Sequence, residues 1–387
     1  MTDPDWTLRA VVEHLERLER LPGSPGEREA AGWIRDRLAE AGLPARLEEA
    51  AVTGSFTLPL GLMSAAAGVA GLFAPRAVAA AVTAAAAAGI ADDTSGGPQV
   101  VRRLLPRRTT VNVVAEAGDP AAQDVLVISA HHDAARGGLI FHPGPTVAVA
   151  RAFPGFYARQ ETSPQFMRLV AGAPLLSALG ALLGRSGLRR AGAVGALVST
   201  AAFADIAVRR VVPGAIDNLA AVAVVLQLAR RLAAAPPQGL RVLLLSTGAE
   251  ESSMEGMRGF VEAHRDALDP ARTRFLVLEC VGAQYPLVLE GEGMIRMHDY
   301  DPELREQLAA AGDAAGVPLR RGLRTGFATD SLPPMRAGYR TACLASCDEL
   351  KMVPNYHSRS DTAANLDFGT VQACADVAER LVRRLSA

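Results

Sequence analysis

The chain has 387 residues, enough for one large α/β domain or for two to three smaller ones. Hydrophobic residues make up 49% of it and charged residues 21%, which excludes a disordered or collagen-like protein. The 40 basic and 41 acidic residues leave a net charge of −1, and only 5% of residues are aromatic. Nucleic-acid-binding domains usually carry a basic excess and stacking aromatic rings, so we expect no nucleic-acid partner.

Two features of the sequence bear on the compartment of the protein. Its four cysteines are too few for a disulfide scaffold in a chain of this length, and we expect them to be buried free thiols. The first twenty residues are acidic and helical in period, without the basic and apolar regions of a signal peptide. We therefore expect a cytoplasmic protein, either free or at the cytoplasmic face of the membrane.

The apolar pattern changes from helices to alternating strands and helices along the chain. Residues 6–20 and 27–41 have apolar positions at helical spacing, separated by a turn rich in proline and glycine. Further on, the predicted elements are strands at 111–114, 125–129, 240–246 and 275–278 and helices at 218–234 and 368–385. Short apolar runs separated by helices predict an α/β fold whose largely parallel sheet is covered on both faces.

Two stretches do not fit this scheme. Residues 50–75 and 77–91 carry no charge apart from the intervening Arg76, and residues 169–184 and 191–204 repeat the arrangement around three arginines. Each pair predicts a hydrophobic helical hairpin with a basic tip. Only the first run is long enough to cross a bilayer by itself, and all four are rich in alanine and glycine. Two readings stay open: association with a membrane, or a helical lid or dimer contact in a soluble protein.

Acids and histidines follow several of the apolar strands. His131 and Asp133 come at the end of one strand, where a histidine can bind a metal and a carboxylate can orient its ring. The other candidates lie in four further motifs and are Asp217, Glu250, Glu251, Glu279 and His357. Asp217 could also be a helix N-cap, and adjacent glutamates are common on surfaces. Glu279 is more informative, because an unpaired charge in an apolar strand is costly without a cation or hydrogen-bond partners.

Together, and in this order, the five motifs resemble metallopeptidase family 28, the co-catalytic zinc aminopeptidases whose relatives include glutamate carboxypeptidase and glutaminyl cyclase. The resemblance covers the N-terminal helices, residues 109–134 and the chain from residue 213 onward. It implies one catalytic domain over residues 1–387, a three-layer α/β/α zinc-peptidase fold with a mostly parallel mixed sheet. The hairpins, at residues 54–92 and 164–210, would be insertions into that fold.

The resemblance also implies roles for the candidate residues. Two Zn²⁺ ions per chain would be held by a ligand set consisting of His131, Asp217, Glu251, Glu279 and His357. Asp217 would bridge the two ions, and the family often has a cis peptide bond directly after this aspartate. Asp133 would support His131, and Glu250 would be the general base that takes a proton from a metal-activated water. Asp330 and Tyr356 would lie near the substrate.

The chain departs from the family pattern at two of these positions. Glu279 stands where the family usually has aspartate, so its carboxylate must pull back by about one methylene to reach the same metal. Ser331 follows Asp330 where relatives have histidine, which predicts different contacts in that loop.

The implied function is a zinc-dependent exopeptidase, an aminopeptidase in the first instance, acting on a peptide or related amide bond. The alternatives are an acyltransferase like glutaminyl cyclase, which uses one zinc, and a non-catalytic membrane-associated scaffold. The substrate itself and the oligomeric state are not predicted.

If the hairpins pack together with their small faces inward, their larger side chains would form an apolar surface beside the site, which suggests a lipophilic substrate. Seven arginines near the base of the hairpins against four at their tips favour a cytoplasmic catalytic domain.

Overall fold

The computed structural model describes residues 6–386, which form thirteen α-helices and ten strands. The helices are α1 Leu8–Leu15, α2 Pro25–Glu40, α3 Thr57–Phe73, α4 Arg76–Thr94, α5 Gly144–Ala152, α6 Pro154–Ala158, α7 Met167–Leu182, α8 Ser186–Val208, α9 Ala220–Ala234, α10 Glu255–Ala263, α11 Pro302–Ala314, α12 Leu332–Arg336 and α13 Phe368–Leu385. The strands are β1 Ala45–Val52, β2 Arg108–Gly118, β3 Val125–His131, β4 Arg241–Thr247, β5 Thr273–Glu279, β6 Tyr285–Val288, β7 Gly291–Glu292, β8 His298–Asp299, β9 Arg324–Thr325 and β10 Arg340–Cys347.

The main sheet has seven strands in the order β1-β2-β4-β3-β5-β10-β6. Its centre is parallel, because β3 pairs in parallel with both β4 and β5, and β5 pairs in parallel with β10. The outer pairs, β1 with β2, β2 with β4 and β10 with β6, are antiparallel. A second, three-stranded sheet has the order β8-β7-β9. The predicted α/β fold with a mostly parallel mixed sheet is therefore confirmed.

Side chains that alternate along the strands build a core on each face of the main sheet. On β3, Leu126 and Ile128 point into a large core shared with α1, α2, α9, α11 and α13. Val125 and Val127 point the other way and pack with Met257 and Phe260 of α10. This period of two places helices on both faces of a buried sheet and gives three layers.

The two hydrophobic hairpins, α3–α4 and α7–α8, pack against each other as a four-helix bundle, which we call the apolar bundle. Small residues make this approach possible: a Cβ added at Gly71 would lie 2.6 Å from both the Ala193 Cβ and the Ser177 Oγ. The bundle has its own core, which includes Leu60, Ile90 and Phe203. It therefore buries its small side chains and some larger ones independently of the sheet.

Many large apolar side chains of the apolar bundle instead face outward. Phe73 is 79% exposed, Leu169 72% and Val198 64%. Two of its helices, α4 and α8, are long and apolar enough to cross a membrane by length and composition alone. Core helices of soluble proteins can be equally long and apolar. The outward-facing apolar side chains are therefore the more specific indication of contact with a membrane or another apolar surface.

Some predictions of local structure need correction, and one is confirmed. The first helix ends at Leu15, and the second begins at Pro25, two residues earlier than the pattern indicated. Strands β1 and β10 were not predicted, although both belong to the main sheet. The expectation of buried free thiols is confirmed for all four cysteines, which are Cys280, Cys343, Cys347 and Cys374.

Candidate metal centre and active site

Three adjacent parallel strands deliver side chains to one edge of the sheet. His131 is the last residue of β3, and Glu279 is the last residue of β5. On the other side of β3 lies β4, which ends at Thr247 and leads into a turn that carries Glu250 and Glu251. Because parallel strands end at the same edge, these four side chains converge there.

Asp217 reaches the same place from an irregular turn before α9. The peptide bond between Asp217 and Asn218 is cis. Asp361 holds this turn, since its carboxylate accepts hydrogen bonds from the amides of Ile216 at 2.6 Å and Asp217 at 3.3 Å. The N-cap position of α9 is Leu219, without a side-chain cap. The alternative reading of Asp217 as a helix N-cap is therefore wrong.

The two carboxylate oxygens of Asp217 face different histidines. Its Oδ1 lies 3.0 Å from His131 Nε2, and its Oδ2 lies 3.2 Å from His357 Nε2. Glu279 stands on the first side, 3.7 Å from His131 Nε2, and Glu251 on the second, 3.3 Å from His357 Nε2. The site thus has two donor groups that share Asp217.

Asp133 connects the metal-facing groups to the turn after β4. Its Oδ1 lies 3.3 Å from His131 Nδ1, on the side of the ring opposite Asp217. The same carboxylate accepts hydrogen bonds from the amides of Glu250 at 3.1 Å and Glu251 at 3.0 Å. Asp133 is completely buried, so it orients both the histidine and the turn.

Glu250 differs from its neighbour in its surroundings. Its carboxylate approaches His131 Nε2 only to 3.9 Å. It also belongs to neither of the two compact sets of potential metal donors, which are His131, Asp217 and Glu251, and Asp217, Glu279 and Cys280. Burial and the nearby Glu251 and Glu279 carboxylates raise the pKa of Glu250 well above its ordinary value, despite the opposing effect of His131. Burial also raises the pKa values of Glu251 and Glu279.

The pKa values of the two histidines, His131 and His357, are also raised. Burial lowers the pKa of His357, but Glu251 and Asp217 outweigh it and raise that pKa to about 10. Burial likewise opposes charge on His131, and hydrogen bonds with Asp133, Asp217 and Glu279 nevertheless raise its pKa. The cluster therefore favours positive charge at its centre, the condition that a bound cation satisfies.

The residues fit zinc on two observations. Imidazole nitrogens and carboxylate oxygens are the donors that catalytic zinc sites use. In addition, Nε2 of His357 and Oε1 of Glu251 are both buried and lie 3.3 Å apart, yet neither atom makes a hydrogen bond. Unpaired buried polar atoms are rare in folded proteins, and two in one donor group point to a missing partner.

Asp330 and Tyr356 border the cluster. The Oδ2 atom of Asp330 accepts a hydrogen bond from Thr247, while its Oδ1 is buried and has no partner. The Tyr356 ring stacks on His357 with centroids 3.9 Å apart, and Phe327 lies 5.5 Å from Tyr356. Phe141, in the segment between β3 and α5, meets His357 edge-on at 4.4 Å. An aromatic wall therefore stands beside the second donor group.

Some residues that shape the site had no recognisable signal in the sequence. Glu27 lies three residues after Ser24, the N-cap of α2, and this capping-box pattern is by itself a sufficient reason for a glutamate at that position. Its carboxylate nevertheless accepts hydrogen bonds from Thr110 Oγ1 and from the amide of Ala249, both at 2.8 Å, in addition to the Gly23 amide. Glu27 thus supports the turn that carries Glu250, across 222 residues of sequence.

Comparison with known proteins agrees with this geometry. The sequence model of peptidase family M28 matches residues 198–382. A comparison with curated protein sequences gives no significant match.

Similar solved structures share the fold over nearly the whole chain. The aminopeptidase from Aneurinibacillus sp. strain AM-1 is 14% identical with a TM-score of 0.58, over 99% of this chain and 94% of that one. A Zn-dependent exopeptidase from Parabacteroides distasonis is 13% identical with a TM-score of 0.57, over 98% and 99%. The glutaminyl cyclase from Bacteroides thetaiotaomicron is 13% identical with a TM-score of 0.58, over 97% and 96%.

The structural likeness at these identities concerns the fold, while the sequence match covers Asp217, Glu250, Glu251, Glu279 and His357. The chain is thus similar to peptidase family M28 over residues 198–382 and to zinc peptidases in its fold, and these two likenesses together support a metallopeptidase.

Proposed function

We propose that the protein is a zinc-dependent aminopeptidase that binds two Zn²⁺ ions and hydrolyses a peptide or related amide bond. The observation that carries the proposal is Asp217, whose two oxygens face His131 and His357 separately. A carboxylate placed between two donor groups is what a pair of metal ions about 3.5–4 Å apart requires.

The donor geometry suggests how the ligands divide. His131 and Glu279 would complete one zinc site with Asp217, and Glu251 and His357 would complete the other with the same aspartate. When bound, the ions would lower the pKa of water and polarise the substrate carbonyl. The longer Glu279 side chain is compatible with this assignment, because its Oε1 still comes within 3.7 Å of His131 Nε2.

Glu250 would be the general base. It is buried beside His131 and lies outside both donor groups, and the environment that raises its pKa helps it to hold a proton. Glu250 would accept a proton from water and deliver it to the nitrogen of the departing amine. Asp133 would hold His131 and, through the two amides of the turn, the position of Glu250.

The substrate would contact Asp330 and Tyr356. The unpaired Oδ1 of Asp330 can accept a hydrogen bond from a polar group of the substrate, and the ring of Tyr356 extends the aromatic wall. These contacts suit an amide whose side chain or acyl group is apolar.

The test of this function combines metal content with product analysis. We expect the purified protein to contain two zinc ions per chain and to release the amino-terminal residue from aminoacyl amides and dipeptides. One zinc per chain, with ammonia released from an amino-terminal glutamine by cyclisation, would instead identify a cyclase. No zinc and no turnover would identify a scaffold.

We further propose that the apolar bundle associates with a membrane and that the substrates are lipophilic. The support is the outward-facing Phe73, Leu169 and Val198, which no other part of the described chain covers. The bundle also reaches the site, because Asp205 in α8 accepts a hydrogen bond from the Leu139 amide at 2.8 Å, two residues before Phe141. An apolar substrate leaving a bilayer would meet the aromatic wall along this route.

A vesicle-binding experiment tests both parts. The parent protein should float with phospholipid vesicles and cleave a long-chain amide in them faster than a short soluble one. The L182E/V198E variant, which places charges at two exposed positions of the bundle, should lose flotation and this preference but keep turnover of the short amide. The control, A235E/Q238E, adds the same charge on an exposed surface outside the bundle and should behave as the parent.

The same proposal places the catalytic domain in the cytoplasm. Of the seven arginines near the base of the hairpins, Arg102 is buried, which leaves six against the four at the tips. Since the four natural cysteines are all buried, a thiol reagent should label only a cysteine that is introduced at an exposed position. Ala77→Cys at the exposed tip should be labelled from outside intact cells, and Glu262→Cys in the catalytic domain should not. Labelling of Glu262→Cys but not of Ala77→Cys would contradict this orientation. In the vesicle experiment, unchanged flotation of L182E/V198E would contradict membrane association through the bundle.

A further inference from the structure

Arg102 lies just beyond the first hairpin, and its guanidinium group is almost completely buried, with 1% of the side chain exposed. Asp93, near the end of α4, binds it through two hydrogen bonds, 2.7 Å to Nε and 3.0 Å to one terminal nitrogen. Burying an arginine is costly unless its charge is paired and its N–H groups have acceptors, and here both conditions are met.

The other contacts of Arg102 lead to the turn that follows the two candidate catalytic-site glutamates. Its guanidinium donates to the carbonyl of Ser252 at 2.7 Å and to the hydroxyl of Ser253 at 3.0 Å. A further bond, 3.0 Å long, goes to the carbonyl of Ser55, where the chain enters the hairpin. One side chain thus joins both ends of the first hairpin to the residues directly after Glu251.

Glu255 strengthens the same connection. Its carboxylate accepts hydrogen bonds from the amides of Thr53 at 2.8 Å and Gly54 at 3.1 Å, just before the hairpin, and from the Ser252 hydroxyl at 2.8 Å. It also lies 3.4 Å from the Arg102 guanidinium. We call these four residues, Asp93, Arg102, Ser253 and Glu255, the hairpin clamp.

The turn held by the hairpin clamp has an unfavourable backbone. Ala249, Ser253 and Met254 have φ values of 51°, 72° and 54°, in the left-handed region that residues other than glycine rarely occupy. Such conformations are energetically unfavourable and persist only where the surroundings impose them. On the sheet side, Asp133 and Glu27 hold the turn, and on the opposite side the hairpin clamp does.

We propose that Arg102 is a positioning residue: by tying the first hairpin to the turn after β4, it sets where the Glu250 and Glu251 carboxylates stand. The inference rests on the proposed function for its effect on catalysis, but not for its effect on the turn. It gives the insertion a part in the reaction through the turn that carries the two glutamates.

The experiment uses the full-length, zinc-loaded protein and the variants Asp93→Asn and Arg102→Lys. Each keeps the size of the side chain but removes part of the clamp. We expect kcat to fall about 10- to 100-fold, as small misplacements of catalytic groups do, with KM changed less than about threefold. Hydrogen exchange at the amides of residues 250–254 should become at least about tenfold faster, while strands β3 and β5 keep their protection.

The matched control is Asp376→Asn. Asp376 pairs at 2.8 Å with Arg231, and this ion pair joins α13 to α9 at the end far from Asp217. We expect any loss of thermal stability there to leave kcat and the exchange of residues 250–254 unchanged. A positioning role is thereby separated from a general loss of stability.

If Asp93→Asn and Arg102→Lys do not fold, Ser253→Ala removes a single acceptor of Arg102 and should give a smaller change of the same kind. Unchanged kcat and unchanged exchange at residues 250–254 in a folded variant would overturn the inference. So would a loss of exchange protection that is equal throughout the sheet. If the parent protein hydrolyses no amide, the proposed function fails, and the exchange measurement alone decides whether the clamp holds the turn.

Discussion

Replacing Glu250 by glutamine should lower turnover by at least about 100-fold while the purified protein keeps its zinc. Glutamine preserves the size of the side chain but cannot take a proton from water. Glu250 stands 3.9 Å from His131 Nε2 and outside both donor groups, so the ligands remain complete. Turnover of an aminoacyl amide and the zinc content of the same preparation measure the two effects together.

The neighbouring residue gives the matched comparison. Glu251→Gln makes an identical chemical change one position away, but Glu251 lies 3.3 Å from His357 Nε2 and forms part of a donor group. This variant should lose zinc as well as activity. A Glu250→Gln enzyme that hydrolyses at the parent rate with zinc intact would remove Glu250 from its proposed role.

Asp217→Ala should cause the largest loss of metal, because one side chain serves both donor groups. Removal of the shared carboxylate leaves His131 and Glu279 on one side and Glu251 and His357 on the other, with two protein ligands each. Catalytic zinc sites usually have three protein ligands, so neither pair should hold the ion through dialysis. We expect less than one zinc per chain and no measurable turnover.

Asp330→Asn is the control for this measurement. Asp330 is also a buried aspartate at the site, but it bonds to Thr247 and belongs to neither donor group. It should retain both ions. Full zinc occupancy in Asp217→Ala would show that Asp217 is not a ligand, and loss of only one ion would show that it does not bridge.

The convergence of the candidate site could be predicted from short stretches of sequence. His131 and Glu279 each end a strand, and those strands are adjacent and parallel in the sheet. Where strands run in parallel, a polar residue at the end of an apolar run is placed at the shared edge by the strand itself. The order of the motifs therefore carried most of the information about the site.

Other parts of the fold could not be predicted, for two physical reasons. Strand β10 consists mainly of small side chains, and β1 has three charged residues among eight, so neither gives a strong apolar signal. The supporting contacts are of long range: Arg102 meets Ser252 across 150 residues of sequence. Nothing in the local sequence of either residue indicates that partner.

Glu27 and Asp217 show how a sufficient local explanation can mislead. Glu27 completes a capping-box pattern, yet its carboxylate also holds the amide of Ala249. Asp217 precedes a helix and suited an N-cap, yet α9 begins three residues later and the carboxylate turns toward the histidines. In both cases the partner that decides the orientation belongs to a distant strand or turn.

The order of elements along the chain has a consequence for how the protein is made. The four helices of the apolar bundle are complete by residue 208, whereas the last candidate ligand, His357, follows 149 residues later. At about 5–20 residues per second, the ribosome needs roughly 7–30 s to bridge that distance. At the start of this interval the outward-facing Phe73, Leu169 and Val198 have been synthesised, whereas β4, β5 and β10 have not. The nascent chain therefore presents this exposed apolar surface before the strands that complete its sheet have been made.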